Sequence, residues 1–417
     1  MSEVRLKLVS RAFDGFERAF AQQIAAFESE NPGIKVDAEF FELGPYHEKM
    51  LANRGAANGE ADLFLSVTDW MPEASSSGQL LALDSFLEAD PPEDWPDGWS
   101  PSMRGLQTGA DGKTYGIAYH DGPEVFMYRT DLFGDFAEQS AFRLRFGYEL
   151  APPKTWDEFV DIAQFFTRPE KGLWGCCLAG FPDAHNNIYD FMLHLWSRGG
   201  QLMDAGFQPQ FHKEAGHLAL HFLVNLVHKH RVVDPACLDL DSVASGLYYA
   251  SGKAAMMWNW SGFAAVAEDS SASQIVGKNA CSAMPAASRG GRSVSLNIYW
   301  VLTITSGSKH KPEAYRFLKH VASSAMDKVT TMSGGNGTRL STWRDPEVHS
   351  RFPYYAIIEE VHRDVESPPQ DARFPEVAEI LNRMVDDALR LRVTPEEALA
   401  RAAAQVDELC ATKRTAG

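Results

Sequence analysis

Apolar positions along the chain set out its first elements. Val4, Leu6 and Leu8 alternate with polar residues, a period of two that predicts a strand with one buried face. Phe16, Phe20, Ile24 and Phe27 then recur at helical spacing, and Asp14 with Glu17 has the spacing of an N-terminal capping box. Asn31-Pro32-Gly33 ends that helix, after which Ile34, Val36, Ala38 and Phe40 alternate again. A helical stretch over 45–58 leads to residues 61–67, whose apolar run predicts a strand buried on both faces. Strands alternating with helices imply an α/β fold, a mostly parallel sheet with helices on both sides.

Further along, residues 90–101 are rich in Pro, Asp and Trp and predict a loop. Two β-rich runs, 115–120 and 125–128, are broken at Asp121-Gly122-Pro123, where the chain is expected to leave one lobe for another. Thr155 and Glu158 form a capping box ahead of a stripe of Trp156, Phe159, Val160 and Ala163. A helix over 214–230 and an apolar strand over 254–258 follow, then strands over 281–285 and 296–304 around a Ser-Arg-Gly-Gly-Arg turn. Thr394-Pro395-Glu396-Glu397 opens a last helix, striped by Leu399, Ala402, Val406 and Leu409.

A chain of 417 residues favours two lobes over one small domain. Its 39 basic and 56 acidic residues leave a formal charge of −17, which argues against a nucleic-acid partner held by a general electrostatic field. No run approaches the roughly 18–20 apolar residues of a membrane helix, so no direct membrane insertion is expected. Residues 1–9 lack the apolar stretch of a signal peptide, which implies either a cytoplasmic protein or one whose export signal has been removed. Cys176, Cys177, Cys237, Cys281 and Cys410 are odd in number and show no C-x-x-C pair, so free buried thiols are expected.

Enzyme motifs are missing. His217-Leu218-Ala219-Leu220-His221 lacks the glutamate of a zinc-protease helix, and His228, on the same face, lies roughly 10 Å further along. No metal site and no cofactor is therefore expected. Gly334-Gly335-Asn336-Gly337 is not followed by the Lys-Ser/Thr of a phosphate loop, and no Gly-x-Ser-x-Gly elbow occurs. What stands out is aromatic residues beside polar ones at expected strand ends: Asp69 with Trp70, Trp258 and Trp260 around Asn259, and Asn297 with Tyr299 and Trp300. Open α/β sheets bind ligands beyond the carboxyl ends of their strands. Sugar C–H faces suit flat rings there, and polar neighbours suit the hydroxyls. Against this, any single tryptophan is more often a core residue.

Several stretches carry a family likeness. They are Ala25-Ala26-Phe27-Glu28-Ser29-Glu30-Asn31-Pro32-Gly33, Ala61-Asp62-Leu63-Phe64, and Gly112-Lys113-Thr114-Tyr115-Gly116-Ile117 running on to Met127-Tyr128-Arg129-Thr130-Asp131-Leu132-Phe133. Pro153-Lys154-Thr155-Trp156-Asp157-Glu158-Phe159, Gly252-Lys253-Ala254-Ala255-Met256-Met257-Trp258, Ser308-Lys309-His310-Lys311-Pro312-Glu313-Ala314 and Gly334-Gly335-Asn336-Gly337-Thr338-Arg339 complete the series. In this order the chain resembles the family 1 extracellular solute-binding proteins of ABC importers, whose relatives include maltose-binding protein.

The resemblance implies a two-lobed, class II-like periplasmic-binding-protein fold with a hinge and a ligand between the lobes. It puts residues 1–119 and 281–320 in lobe one, and 120–280 and 321–417 in lobe two. The positions it brings to a ligand are Arg11, Phe13, Asp14, Phe41, Glu42, Asp69, Trp70, Tyr119, His120, Asp121, Asp183, Asn186, Trp258, Trp260, Asn297, Tyr299, Trp300 and Arg339. It further implies a periplasmic, monomeric, non-catalytic protein whose partners are a sugar or sugar-like solute and the permease subunits of an importer. A carbohydrate-active enzyme using paired carboxylates, or a sensory solute receptor, are the alternatives.

Overall fold

The computed structural model describes residues 3–183 and 185–415. In chain order its strands are β1 (Val4–Arg11), β2 (Ile34–Phe41), β3 (Leu63–Val67), β4 (Gly116–His120), β5 (Glu124–Arg129), β6 (Trp174–Cys176), β7 (Ala254–Trp260), β8 (Asn279–Ser282), β9 (Ser295–Leu296), β10 (Trp300–Ile304) and β11 (Val365–Glu366). The chain divides into two compact units. One takes the chain up to Pro123, Asn297–Arg363 and Gln370–Ala372. The other takes Glu124–Leu296, Asp364–Pro369 and the chain from Arg373 onward.

The first unit is built on a five-stranded sheet ordered β2-β1-β3-β10-β4. Its parallel core comes from the strand–helix–strand pattern at the start: β1 pairs in parallel with β2 and with β3. The helix Asp14–Glu30 buries Phe16, Phe20 and Phe27, as its spacing requires, together with Gln23. The expected Asp14–Glu17 capping box does not form. Phe13, extended at φ −162°, is the capping position and offers no side-chain acceptor, which leaves Asp14 as the first helical residue, paired with Arg18 at 3.8 Å.

The second unit has a four-stranded sheet ordered β6-β7-β5-β8 and a separate β9–β11 pair. Here the expected caps do form. Thr155 accepts from the Glu158 amide at the head of Trp156–Phe166. At Pro395–Thr415 the box is reciprocal: the Glu397 amide donates to Thr394 Oγ1 and the Thr394 amide donates to Glu397 Oε2, both at 3.2 Å.

Both sheets are mixed, and each has one reversed strand. β10 runs antiparallel to β3 and β4, and β5 runs antiparallel to β7 and β8. In each unit the reversed strand is the first one laid down after the chain crosses over.

Three expected boundaries move. Residues 120–123 stay in the first unit, which runs up to Pro123. Residues 281–296 stay in the second unit, because Cys281 in β8 pairs with Met127 of β5 and β9 pairs with β11. Residues 321–363 belong to the first unit: Gln23 donates to the Met326 carbonyl and to Thr330 Oγ1, both at 3.0 Å, tying the helix Ser324–Met332 to Asp14–Glu30. Cys176, Cys177 and Cys237 are buried free thiols and Cys281 a half-buried one, while the buried Cys410 thiol donates to the Phe207 carbonyl at 3.3 Å. Among the described residues no helix is long and apolar enough to cross a membrane.

Candidate ligand-binding site

In the first unit the reversal of β10 decides the geometry. Running antiparallel, β10 brings its first residue, Trp300, level with Val67 at the end of β3 and with His120 at the end of β4. Four strand ends, those of β1 to β4, and one strand start thus share one edge of the sheet, the edge where α/β folds take ligands.

A connected group of side chains gathers there. The Arg11 guanidinium, at the end of β1, lies 5.8 Å from the Trp300 ring centre. Trp70, in the short helical turn Thr68–Trp70, meets Trp300 edge-on at 6.1 Å. Phe16 packs against His120 at 4.9 Å and against Trp300 at 5.9 Å, and Phe13, 41% exposed, covers Phe16. His120 is held neutral. Burial and then the Arg11 charge push its pKa down to about 3, and its Nδ1 accepts from the Asn336 amide at 2.8 Å. Burial lowers the Arg11 pKa as well, against the opposing charge of Glu42. The result is a wall of rings with one cation and one neutral imidazole.

Other positions expected here lie elsewhere in the unit. Tyr119 stacks flat on Phe20 at 4.6 Å, inside the core. Tyr299 is fully buried, its hydroxyl donating to the Met103 carbonyl at 2.5 Å. Asp121 accepts from the Gly122 amide at 2.8 Å and lies 2.9 Å from His362 Nε2, with both side chains buried. Asn297 donates to the Ser102 carbonyl. Arg339 belongs to this unit and is 1% exposed; its guanidinium is bound to the carbonyls of Glu93 and Ala322, to Asp94, and lies on the Trp99 ring at 4.4 Å. Tyr119, Tyr299, Asp121 and Arg339 are structural residues, because backbone and core groups already take their polar atoms. Asp14 and Glu42 are exposed, and half-buried Phe41 carries the Lys49 ammonium at 5.4 Å.

In the second unit, Trp260 ends β7 and sits in register with Glu124, the first residue of β5. Its indole N–H donates to Asn186 Oδ1 at 3.3 Å, and Tyr189 meets its ring edge-on at 5.8 Å. Asn186 and Tyr189 come from the first turn of the helix Asn186–Ser197. Asp183 accepts from the His185 amide just before it, while Ala184 lies outside the described residues. Trp258 is corrected to a core residue: it packs on Trp156 at 5.3 Å and its N–H donates to Asp190 Oδ1 at 2.7 Å.

Two acids beside this group escaped sequence reasoning. Glu124 is 0% exposed and both of its carboxyl oxygens lack a hydrogen-bond partner among the described residues. Burial, then the nearby Asp190, raises its pKa well above the carboxylate range, and burial pushes Asp190 up to about 8. A signal for both was present. Glu124 heads the apolar run Val125-Phe126-Met127, and Asp190 interrupts Ile188-Tyr189 and Phe191-Met192-Leu193. A neutral carboxylic acid can donate one hydrogen bond and accept another, which is what a hydroxyl asks of its partner.

Comparison with known proteins agrees with this architecture. A mannitol-binding protein of Pseudomonas aeruginosa is 24% identical over 327 residues, 76% of this chain and 70% of that protein. A protein of Sinorhizobium fredii named as a probable amino-acid ABC transporter periplasmic-binding protein is 26% identical over 249 residues, 60% of this chain; the match spans 55% of that relative's length. The solved structure of an ABC transporter solute-binding protein from Agrobacterium radiobacter, in complex with ribitol, superposes with a TM-score of 0.83 over 98% of this chain and 99% of that one, at 24% identity. That likeness establishes the fold. The family model for the bacterial extracellular solute-binding protein matches residues 13–328, and with three quarters of its length inside that match the chain belongs to this family.

Proposed function

We propose that this chain binds a small neutral polyhydroxy solute, a polyol or a monosaccharide-sized sugar, and delivers it to the permease of an ABC importer outside the cytoplasm. The observation that carries the reading is the Trp260 ring with Asn186 and Tyr189, set in register with the uncharged Glu124. A ring face suits C–H groups, and neutral amide and acid groups suit hydroxyls without demanding a charge on the solute. Trp70, Trp300 and His120 offer the same chemistry on the first unit. A relative named for mannitol and a solved neighbour holding ribitol make polyols the first compounds to try.

The test is a thermal-shift screen over polyols, sugars and sugar acids. A compound present at about 100 times its dissociation constant stabilises the folded protein by about 2.7 kcal/mol. Trp260→Ala is expected to weaken binding of the hit by about 2 kcal/mol, roughly thirtyfold, in titration calorimetry. From the family resemblance, saturation should also lower the radius of gyration measured by small-angle scattering. The solute recovered unchanged, at one per chain, separates a binding protein from an enzyme. A screen in which only charged sugar acids bind would overturn the neutral-solute reading.

A further inference from the structure

We propose that His217, His221 and Glu396 form a site for a divalent transition ion of the zinc or nickel type, clamping the helix Glu214–His228 to the start of the helix Pro395–Thr415. The two histidines are four residues apart, so their imidazoles stand one above the other on a single helix face, with Cβ atoms about 5–6 Å apart. Packing of the two helices brings the third donor from far along the chain.

The donor atoms of all three residues lie within 4.8 Å of one another. Two ligands at about 2.0–2.2 Å from one ion can be at most about 4.4 Å apart, so only a small contraction is needed. The side chains are free to make it, since His221 is 41% and Glu396 57% exposed. His221 Nε2 already lies 2.6 Å from Glu396 Oε1. Glu396 is also the right glutamate. Its neighbour Glu397 is used by the capping box with Thr394, whereas the Glu396 carboxyl faces the two histidines.

Two imidazoles and one carboxylate suit zinc, nickel and copper, and suit magnesium and calcium poorly. His228, the third histidine on that face, takes no part, because its Nε2 is engaged by the Leu389 carbonyl at 2.8 Å. Absence of a metal, the expectation from the sequence, rested on a missing His-Glu-x-x-His glutamate and on the distance to His228. The fold supplies a carboxylate that neither consideration included.

The experiment titrates zinc chloride and nickel chloride into the EDTA-treated full chain by calorimetry, with magnesium chloride as the comparison. One transition ion per chain in the micromolar range or tighter, with no magnesium heat, is expected. His221→Ala and Glu396→Gln should each weaken binding by about tenfold or more, and His217→Ala combined with His221→Ala should abolish it, while His228→Gln leaves it unchanged. Circular dichroism establishes that each variant is folded. Binding retained by the double variant would mean dispersed surface carboxylates and would overturn the site, as would no binding up to millimolar zinc.

Discussion

Arg339→Ala is expected to lower stability by about 3–5 kcal/mol while leaving the solute affinity of the folded protein unchanged. The side chain is 1% exposed and makes three polar contacts within its own unit, to the carbonyls of Glu93 and Ala322 at 2.9 Å and to Asp94 at 3.2 Å. Hydrogen bonds to a charged group contribute about 1.5–3 kcal/mol each, and a desolvated cation on a tryptophan face adds up to about 2. Truncation also strands two carbonyls and leaves a cavity against Trp99. The sum exceeds the expected loss, since the exposed Asp94 contact is screened by water and the site relaxes in part.

The damage extends to Asp327. This buried acid accepts from the Thr338 and Arg339 amides and from Thr342 Oγ1, and the Arg339 charge partly offsets the rise that burial imposes on its pKa. Arg339→Lys keeps that charge but not the planar fork, and should recover only part of the loss. Urea unfolding measures stability and calorimetry measures affinity. A loss below about 1 kcal/mol together with a tenfold weaker affinity would return Arg339 to the solute.

The contrast between Arg339 and Trp300 shows what a linear sequence carries. The elements around β1, β2 and β3 were legible because their burial has a local period, and two of the capping boxes were legible because their partners are three residues apart. Collinear motifs were enough to reach the family, which the match over 13–328 bears out. Burial of a charged side chain has no such signature. Arg339 sits after a glycine-rich turn that looks solvent-facing, and only the packing of Trp99, from 240 positions earlier, encloses it. The unit boundaries failed for a related reason: 321–363 is held to the first unit by Gln23, a polar residue inside an apolar stripe. Trp300 was legible as an aromatic at a strand edge, but its place beside Arg11 and Trp70 depends on β10 being reversed.

Glu124 yields the second large effect, a stability that falls as pH rises. An acid whose folded pKa is raised binds more protons folded than unfolded, so stability drops with pH from the unfolded value near 4 up through the folded one. For Asp190 that window ends at about 8, and Glu124 is raised in the same direction by burial and by Asp190. Two buried histidines act oppositely. His120, pushed down to about 3, and His194, held well below its ordinary value by burial and then by Arg198, lose stability as pH falls below about 6.5. The two effects offset one another between about pH 4 and 6.5, and above that range only the acids remain. From pH 6.5 to 8 the native protein should therefore lose about 1.4 kcal/mol per pH unit for each proton the pair releases late. Glu124→Gln keeps the shape and the neutral charge and removes one titration. Urea unfolding across that range should show a flatter profile for the variant, which ends more stable than the native chain at pH 8. Parallel profiles for the two proteins would mean that Glu124 is ionised in the fold, and would remove the neutral acid from beside Trp260.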